Sequence, residues 1–238
     1  MLQPVTFAVM VSLAALLASH GVRPDAVVGH SQGEIAAACV AGALSLADAA
    51  KVVALRAATG ADLGRGGGLL TVALPAAEIE PWDGIEIAAV NGPRSVVLAG
   101  PDEAIAEVER HYRERDVPRA HRRRVVRLAH PPRRAHRRQG AGAAGRRPRS
   151  GADGAVDVHC GRRLGPGADR RGLLGPHLVQ RVRFADAIAN LRDFGLFVEV
   201  STHPVLAAPI SDTLAGTDAS VIGMLRRTTA APTGTSAP

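Results

Sequence analysis

Aromatic residues are nearly missing from this chain, whose 238 residues include four Phe, one Tyr and one Trp. Packing must then come from Ala, Val and Leu, which is lean for a chain long enough to hold one large domain or a principal domain with a smaller insert. With only two cysteines, Cys39 and Cys160, a disulfide framework is excluded, and no spacing suggests a zinc site. Both read as reduced thiols in a cytoplasmic protein. Long apolar runs are also absent. The segment from Val5 to Leu17 has no basic residues before it, as a leader would, and residues 2–19 are too short and interrupted for a membrane span, so Gln3-Pro4 reads as the entry to a packed helix. The glycine-rich run 60–68 lacks the lysine and spacing of a phosphate-binding loop, and it reads as a break in structure.

Acidic residues are scarce in one stretch only. Residues 110–183 hold 21 arginines against five acidic residues, whereas the remainder has eight Lys plus Arg against 17 Asp plus Glu. The net charge of +7 therefore belongs to one segment of an otherwise acidic chain.

What is present is Gly29-His30-Ser31-Gln32-Gly33-Glu34, between a short extended run, Asp25 to Val28, and the helix-forming Ile35 to Ala41. Strand, sharp turn and helix are the setting of a nucleophile elbow, with small residues on both sides of an outward-facing serine. Ser31 is the candidate nucleophile. Gln32 sits where its backbone N–H, at a helix start, stabilises an oxyanion. His30 faces away from Ser31 if the turn is tight, which suits a structural or pocket-lining role better than base catalysis.

Further along, Leu46, Ala49, Ala50, Val53, Ala54 and Ala57 recur at helical spacing, with Ser45 as N-cap and Asp48 three residues on. Arg56 lies in that helix, where a lone basic residue is ordinarily a snorkelling surface side chain. Strands are expected at Leu69–Leu74, Ile85–Val90 and Ser95–Ala99, with a turn at Asn91-Gly92-Pro93 and a helix from Pro101 to about Arg113. This set reads as a small α+β insert forming one wall of a cleft over Ser31. From 113 to 183 there is no aromatic residue and no sustained periodicity, so order is not expected there. Pattern returns with Val182-Arg183-Phe184-Ala185-Asp186, a helix to about Leu191, a strand Leu196–Val200, and Ser201-Thr202-His203-Pro204-Val205-Leu206. From about Thr228 the tail shows no core pattern.

Four stretches together resemble the malonyl-type acyltransferase domain of modular type I polyketide synthases. They are Gln3-Pro4 through Ser12, Val27 through Arg56, Leu69 through Gly100 with Val90-Asn91-Gly92-Pro93, and Val182 through Leu206 with His203-Pro204-Val205-Leu206. The resemblance implies an α/β fold: an α/β-hydrolase-like large subdomain with an inserted ferredoxin-like small subdomain. The expected division is 1–62 and 129–215 for the large subdomain, 63–128 for the small one, and 216–238 as tail.

It further implies transfer of an α-carboxyacyl group from coenzyme A to an acyl carrier protein through a Ser31 ester, among neighbouring synthase domains, with acyl-coenzyme A as substrate and no cofactor, metal or membrane. Arg56 matches the family arginine that pairs with the extender carboxylate. Gln32 and the flanks of Gln3-Pro4-Val5 resemble the methylmalonyl-selecting subset more than the malonyl one.

Some features depart from the family. Its glycine- and glutamine-rich opening motif, which completes the oxyanion hole, is expected upstream of this chain. The catalytic histidine belongs in a Ser-His pair, but here the region reads Arg127-Leu128-Ala129-His130-Pro131-Pro132. His130 is the candidate base, with His136 as runner-up. The family asparagine before Val-Arg-Phe is replaced near His177-Leu178. Residues 115–180 read as translated out of register, and the coding DNA tests this: a shifted frame should give a family-like segment ending in Ser-His. Competing readings are a serine thioesterase or esterase, an inactive acyltransferase remnant, and a nucleic-acid-binding arm in the basic stretch. The last lacks stacking aromatics and any known fold motif. His203 is expected to cap the last strand.

Overall fold

A computed structural model describes residues 2–62, 65–126, 155–158, 162–164 and 181–226. The first helix, α1 (Leu2–Ser19), carries Pro4 in its opening turn, where a missing N–H costs nothing. It closes through Gly21 at φ +82°, with Val22 N–H donating to the Leu17 carbonyl and Gly21 N–H to that of Ala18. A short strand, β1 (Ala26–Val28), leads through the 29–32 turn into α2 (Gly33–Val40). Next comes α3 (Leu46–Asp62), whose start is capped as its sequence predicts: Ser45 Oγ accepts from the Asp48 N–H at 3.1 Å and donates to the Asp48 carboxylate at 2.7 Å.

These three helices share one core of Phe7, Ile35, Ala36, Ala49 and Val53. The small alanines let the helix axes approach closely, which is how a chain with few aromatics still excludes water here. It also brings the middle of α3 up to the start of α2.

The small subdomain is a sheet built from β2 (Arg65–Val72), β3 (Glu86–Gly92), β4 (Ser95–Pro101) and, after the helix α4 (Asp102–Glu114), β5 (Arg119–Val126). The strand order β5-β2-β4-β3, antiparallel throughout, is that of a ferredoxin-like sheet, with a single 3-10 turn at Ala76–Glu78 where the first helix of that fold would stand. Its core is Leu70, Val72, Val96, Leu98, Ile105, Val108 and Tyr112. The first two strand pairs and α4 match the alternating and helical apolar patterns of the sequence.

Three expectations need correction. The glycine-rich stretch is not a plain break, since α3 runs to Asp62 and glycines 66–68 lie in β2, paired with β4. Gly68 suits that place because a Cβ would sit 3.1 Å from Ile105 Cγ2. The arginine-rich interval is not without regular structure either. It supplies β5, then β6 (Ala155–Val158) parallel to β1, and β7 (Arg162–Leu164) antiparallel to β6. Strand pairing draws on backbone groups that every residue but proline carries in full, so a neighbouring edge organises sequence that has no apolar period of its own. Finally, the tail boundary at 216 is too early.

The last elements are β8 (Val182–Arg183), α5 (Phe184–Ala189), β9 (Leu196–Glu199), α6 (Ala207–Thr213) and β10 (Ser220–Gly223), the last parallel to β9 and part of the fold. They close a third cluster of Phe184, Ile188, Ile210 and Leu214, against which Val28 of β1 also packs. Buried Glu199 organises the turn into α6, its carboxylate accepting from the Val205 and Leu206 amides at 3.0 and 2.9 Å and from Ser201 Oγ at 3.0 Å. β8 joins the small sheet as a fifth strand, parallel to β3, so the two subdomains meet along β3.

Candidate active site

The turn between β1 and α2 is tight enough to dictate its own residues. Ser31 is held at φ +56°, a left-handed conformation that costs a side-chain-bearing residue about 1–2 kcal/mol and persists only where its surroundings enforce it. A Cβ on Gly29 would lie 2.2 Å from Glu34 Cα and 2.3 Å from Glu34 N, so only glycine fits two residues before the serine. Gly33, two residues after it, would have nothing within 4 Å of an added Cβ and does not owe its place to crowding. The amides of Gly33, Glu34 and Ile35 donate to the carbonyls of His30, Ser31 and Gln32 at 2.9, 3.1 and 3.2 Å. Among the described residues no main-chain acceptor meets the Gln32 amide, at the positive end of α2.

Arg56 crosses from α3 to this turn, its Nη2 donating to Ser31 Oγ at 3.4 Å. It is thus not the surface side chain that its local pattern suggests. Burial pulls its pKa below the ordinary arginine value, and Glu34 pulls it back up. Its Nε is buried without a hydrogen-bond partner among the described residues. A half-buried guanidinium whose Nε has no partner among the described residues, beside a strained serine hydroxyl, has donors to spare for an acceptor.

Glu34, on the first turn of α2, belongs to the elbow sequence, which by itself assigns it no role. Burial pushes its carboxyl up to about 7, against the attraction of Arg56. A carboxyl with a higher pKa in the fold than its ordinary 4.5 contributes stability below about pH 4.5, and this is lost as the pH rises through about 7. Glu34→Gln, which cannot ionise, is therefore expected to match the parent at pH 4. At pH 8 it should exceed the parent by on the order of 1–2 kcal/mol, a figure reduced for partial exposure, as read from urea denaturation at both pH values.

His30 turns away from the serine. Its Nε2 lies 2.7 Å from Asn91 Oδ1, and its ring meets that of Phe184 edge to face at 5.3 Å between centroids. Burial lowers its pKa, the Asn91 hydrogen bond opposing in part, so the imidazole is neutral at pH 7. The sequence places Asn91 in a turn. In the structure β3 continues through Gly92, and Asn91 is buried at the junction with the elbow. Three of the four stretches singled out in the sequence thus converge on one residue, and the signal that could have found Asn91 was its place inside one of them.

His130 and His136, the candidate bases, lie outside the described residues, as do Cys160 and His177. His203 is exposed in the loop before α6, where its carbonyl accepts from Ser201 Oγ and from the Val205 amide. Among the described residues no group of three or more His, Cys, Asp or Glu could hold a metal ion, and no helix is long and apolar enough to cross a membrane.

A β-rich insert and a serine at a strained strand-to-helix turn place the molecule in the class of mixed α/β proteins with a small inserted subdomain. Residues 1–137 match the family described as "Acyl transferase domain". The chain belongs to the acyl transferase domain family of modular polyketide synthases, a placement that its relatives support over nearly its whole length. It is 47% identical over 246 residues to the spectinabilin polyketide synthase system protein NorA' of Streptomyces orinoci, covering 97% of this chain and 7% of that one. It is 43% identical over 244 residues to the polyketide synthase GfsA of Streptomyces halstedii, covering 97% of this chain and 3% of that protein. The chain therefore spans a small fraction of these synthases. Among solved structures, the acyltransferase domain from module 8 of the salinomycin polyketide synthase superposes with a TM-score of 0.78 at 37% identity, over 95% of this chain and 56% of that one. A loading acyltransferase from the avermectin modular polyketide synthase gives 0.75 at 34%, over 93% of this chain and 73% of that chain.

Proposed function

We propose that the chain transfers an α-carboxyacyl group from coenzyme A to the phosphopantetheine thiol of an acyl carrier protein in polyketide assembly. The observation that carries this reading is the Arg56 guanidinium 3.4 Å from Ser31 Oγ, with Nε left for a further acceptor. Ser31 Oγ attacks the thioester carbonyl carbon while a histidine takes its proton. The carbonyl oxygen becomes an oxyanion facing the Gln32 amide, and collapse of the tetrahedral species expels the coenzyme A thiolate, which takes up the proton. The carrier thiol then repeats the steps on the Ser31 ester. Arg56 holds the free carboxylate of the acyl group through its planar fork and so fixes the carbonyl over the serine. His130 is the proposed base, and methylmalonyl is proposed ahead of malonyl on the strength of Gln32 and the Gln3-Pro4-Val5 flank. Neighbouring synthase domains are the proposed partners, without nucleic acid, and the proposed location is the cytoplasm.

A serine hydrolase of neutral acyl groups shares the elbow but leaves a half-buried guanidinium facing an apolar chain, an unfavourable pairing. Incubation with methylmalonyl- and malonyl-coenzyme A followed by intact-mass measurement tests the proposal. An acyl adduct is expected on the parent and not on Ser31→Ala, its mass naming the acyl unit. A folded parent with no adduct would overturn the reading in favour of an inactive remnant.

A further inference from the structure

The small subdomain meets the rest of the molecule through β3, which pairs with β8 on one edge and packs against α5 and α6. At the end of β3, Gly92 is pressed on α6 so closely that a Cβ would come within 2.9 Å of the Pro209 carbonyl oxygen. The residue before it, Asn91, is buried and reaches His30, the immediate neighbour of Ser31. The strand that joins the small sheet to the last elements is thus tied by one side-chain hydrogen bond to the strained turn that carries Ser31.

We propose that Asn91 is a positioning residue for Ser31: through the His30 side chain it latches the small sheet to the elbow, so that sheet and serine keep one register. Amide Oδ1 only accepts, so His30 donates from Nε2 at 2.7 Å, which selects the Nε2–H tautomer. Phe184, leading out of β8, packs edge to face on the same ring and restricts its tilt. With ring and backbone held, the left-handed Ser31 has no easy route back to an ordinary conformation. The depressed basicity of His30 agrees with this role, because a neutral imidazole keeps the tautomer that the latch needs.

The catalytic consequence rests on the proposed acyl transfer, but the latch itself is tested without it. Hydrogen exchange is followed at the elbow amides of Gly33, Glu34 and Ile35 and, as a control, at Leu70 and Leu98 in the small sheet. In Asn91→Ala the elbow amides are expected to exchange about tenfold faster or more, with the control amides within about twofold of the parent. Asn91→Asp, which keeps an acceptor in place, should restore most of the protection. If Asn91→Ala fails to fold, Asn91→Ser, too short to reach His30, takes its place. Equal acceleration at elbow and sheet, unchanged elbow amides, or an Asp variant that behaves like Ala would each overturn the latch. Where Ser31 acylation is measurable, Asn91→Ala should lower the maximal rate about 10–100-fold while changing the half-saturating coenzyme A ester concentration less than about threefold. A parent that is never acylated refutes the proposed function and leaves the exchange result to decide the latch.

Discussion

Arg56→Ala is expected to slow acylation of Ser31 by malonyl- or methylmalonyl-coenzyme A by about 100-fold or more. Truncating one partner of a desolvated, hydrogen-bonded charge pair costs about 2–5 kcal/mol, and in the proposed acyl transfer the half-buried Arg56 beside Ser31 is the guanidinium that the acyl carboxylate would lose. Arg56→Lys should recover only part of the loss. Lysine supplies a charge but not two parallel donors, and in the proposed reaction it is the bidentate geometry that orients the acyl carbonyl over Ser31. Acetyl- or propionyl-coenzyme A provides the control, because a neutral acyl group has nothing to lose at Arg56. Its rate should change by less than about threefold, or rise once the half-buried charge is gone. Single-turnover rates followed by intact mass measure both substrates. An equal fall for charged and neutral acyl groups would show that Arg56 acts by holding the elbow and does not read the carboxylate.

Gly29→Ala should be among the most destabilising single substitutions in the molecule, at about 3 kcal/mol or more, whereas Gly33→Ala should cost less than about 1 kcal/mol. The atoms that a Gly29 methyl would strike, at 2.2 and 2.3 Å, are backbone atoms of Glu34, and no rotamer change moves them. Relief requires α2 to shift as a unit, and α2 is pinned by Ile35 and Ala36 in the three-helix core. Gly33 borders open space and does not adopt a left-handed conformation, so alanine there keeps the helix start and improves its propensity. Thermal or urea unfolding of the two variants reads the difference. Equal stability would mean that the turn is looser than the close approach of Gly29 to Glu34 implies.

The elbow was legible because its constraints act over a few residues. Glycine two places before the serine and helix formers after it define a local bend whichever fold surrounds them. The βββα set of the insert was legible for a similar reason: Leu70, Val72, Val96 and Leu98 alternate on strands, Ile105, Val108 and Tyr112 share one face of α4, and each period shows within a dozen residues. The Ser45–Asp48 cap is another feature with all of its partners in one short stretch.

Tertiary packing decided what joins distant parts of the chain. Arg56 is 25 residues from Ser31 and reads locally as a surface side chain. It becomes the partner of the serine because Ala36 and Ala49 let α2 and α3 close against Phe7. Asn91 is 61 residues from His30 and reads as a turn residue, yet β8 and α6 hold β3 where its side chain meets the imidazole. Likewise, β5, β6 and β7 take their order from edges already present in β2 and β1. The sequence by itself determined the bend at Ser31 and the elements around it, since these depend on backbone preferences and periods of two or 3.6 residues. Which guanidinium faces the serine and which amide holds its neighbour came only with the fold, because the approach of helices and sheets depends on the volumes of side chains far apart in the chain.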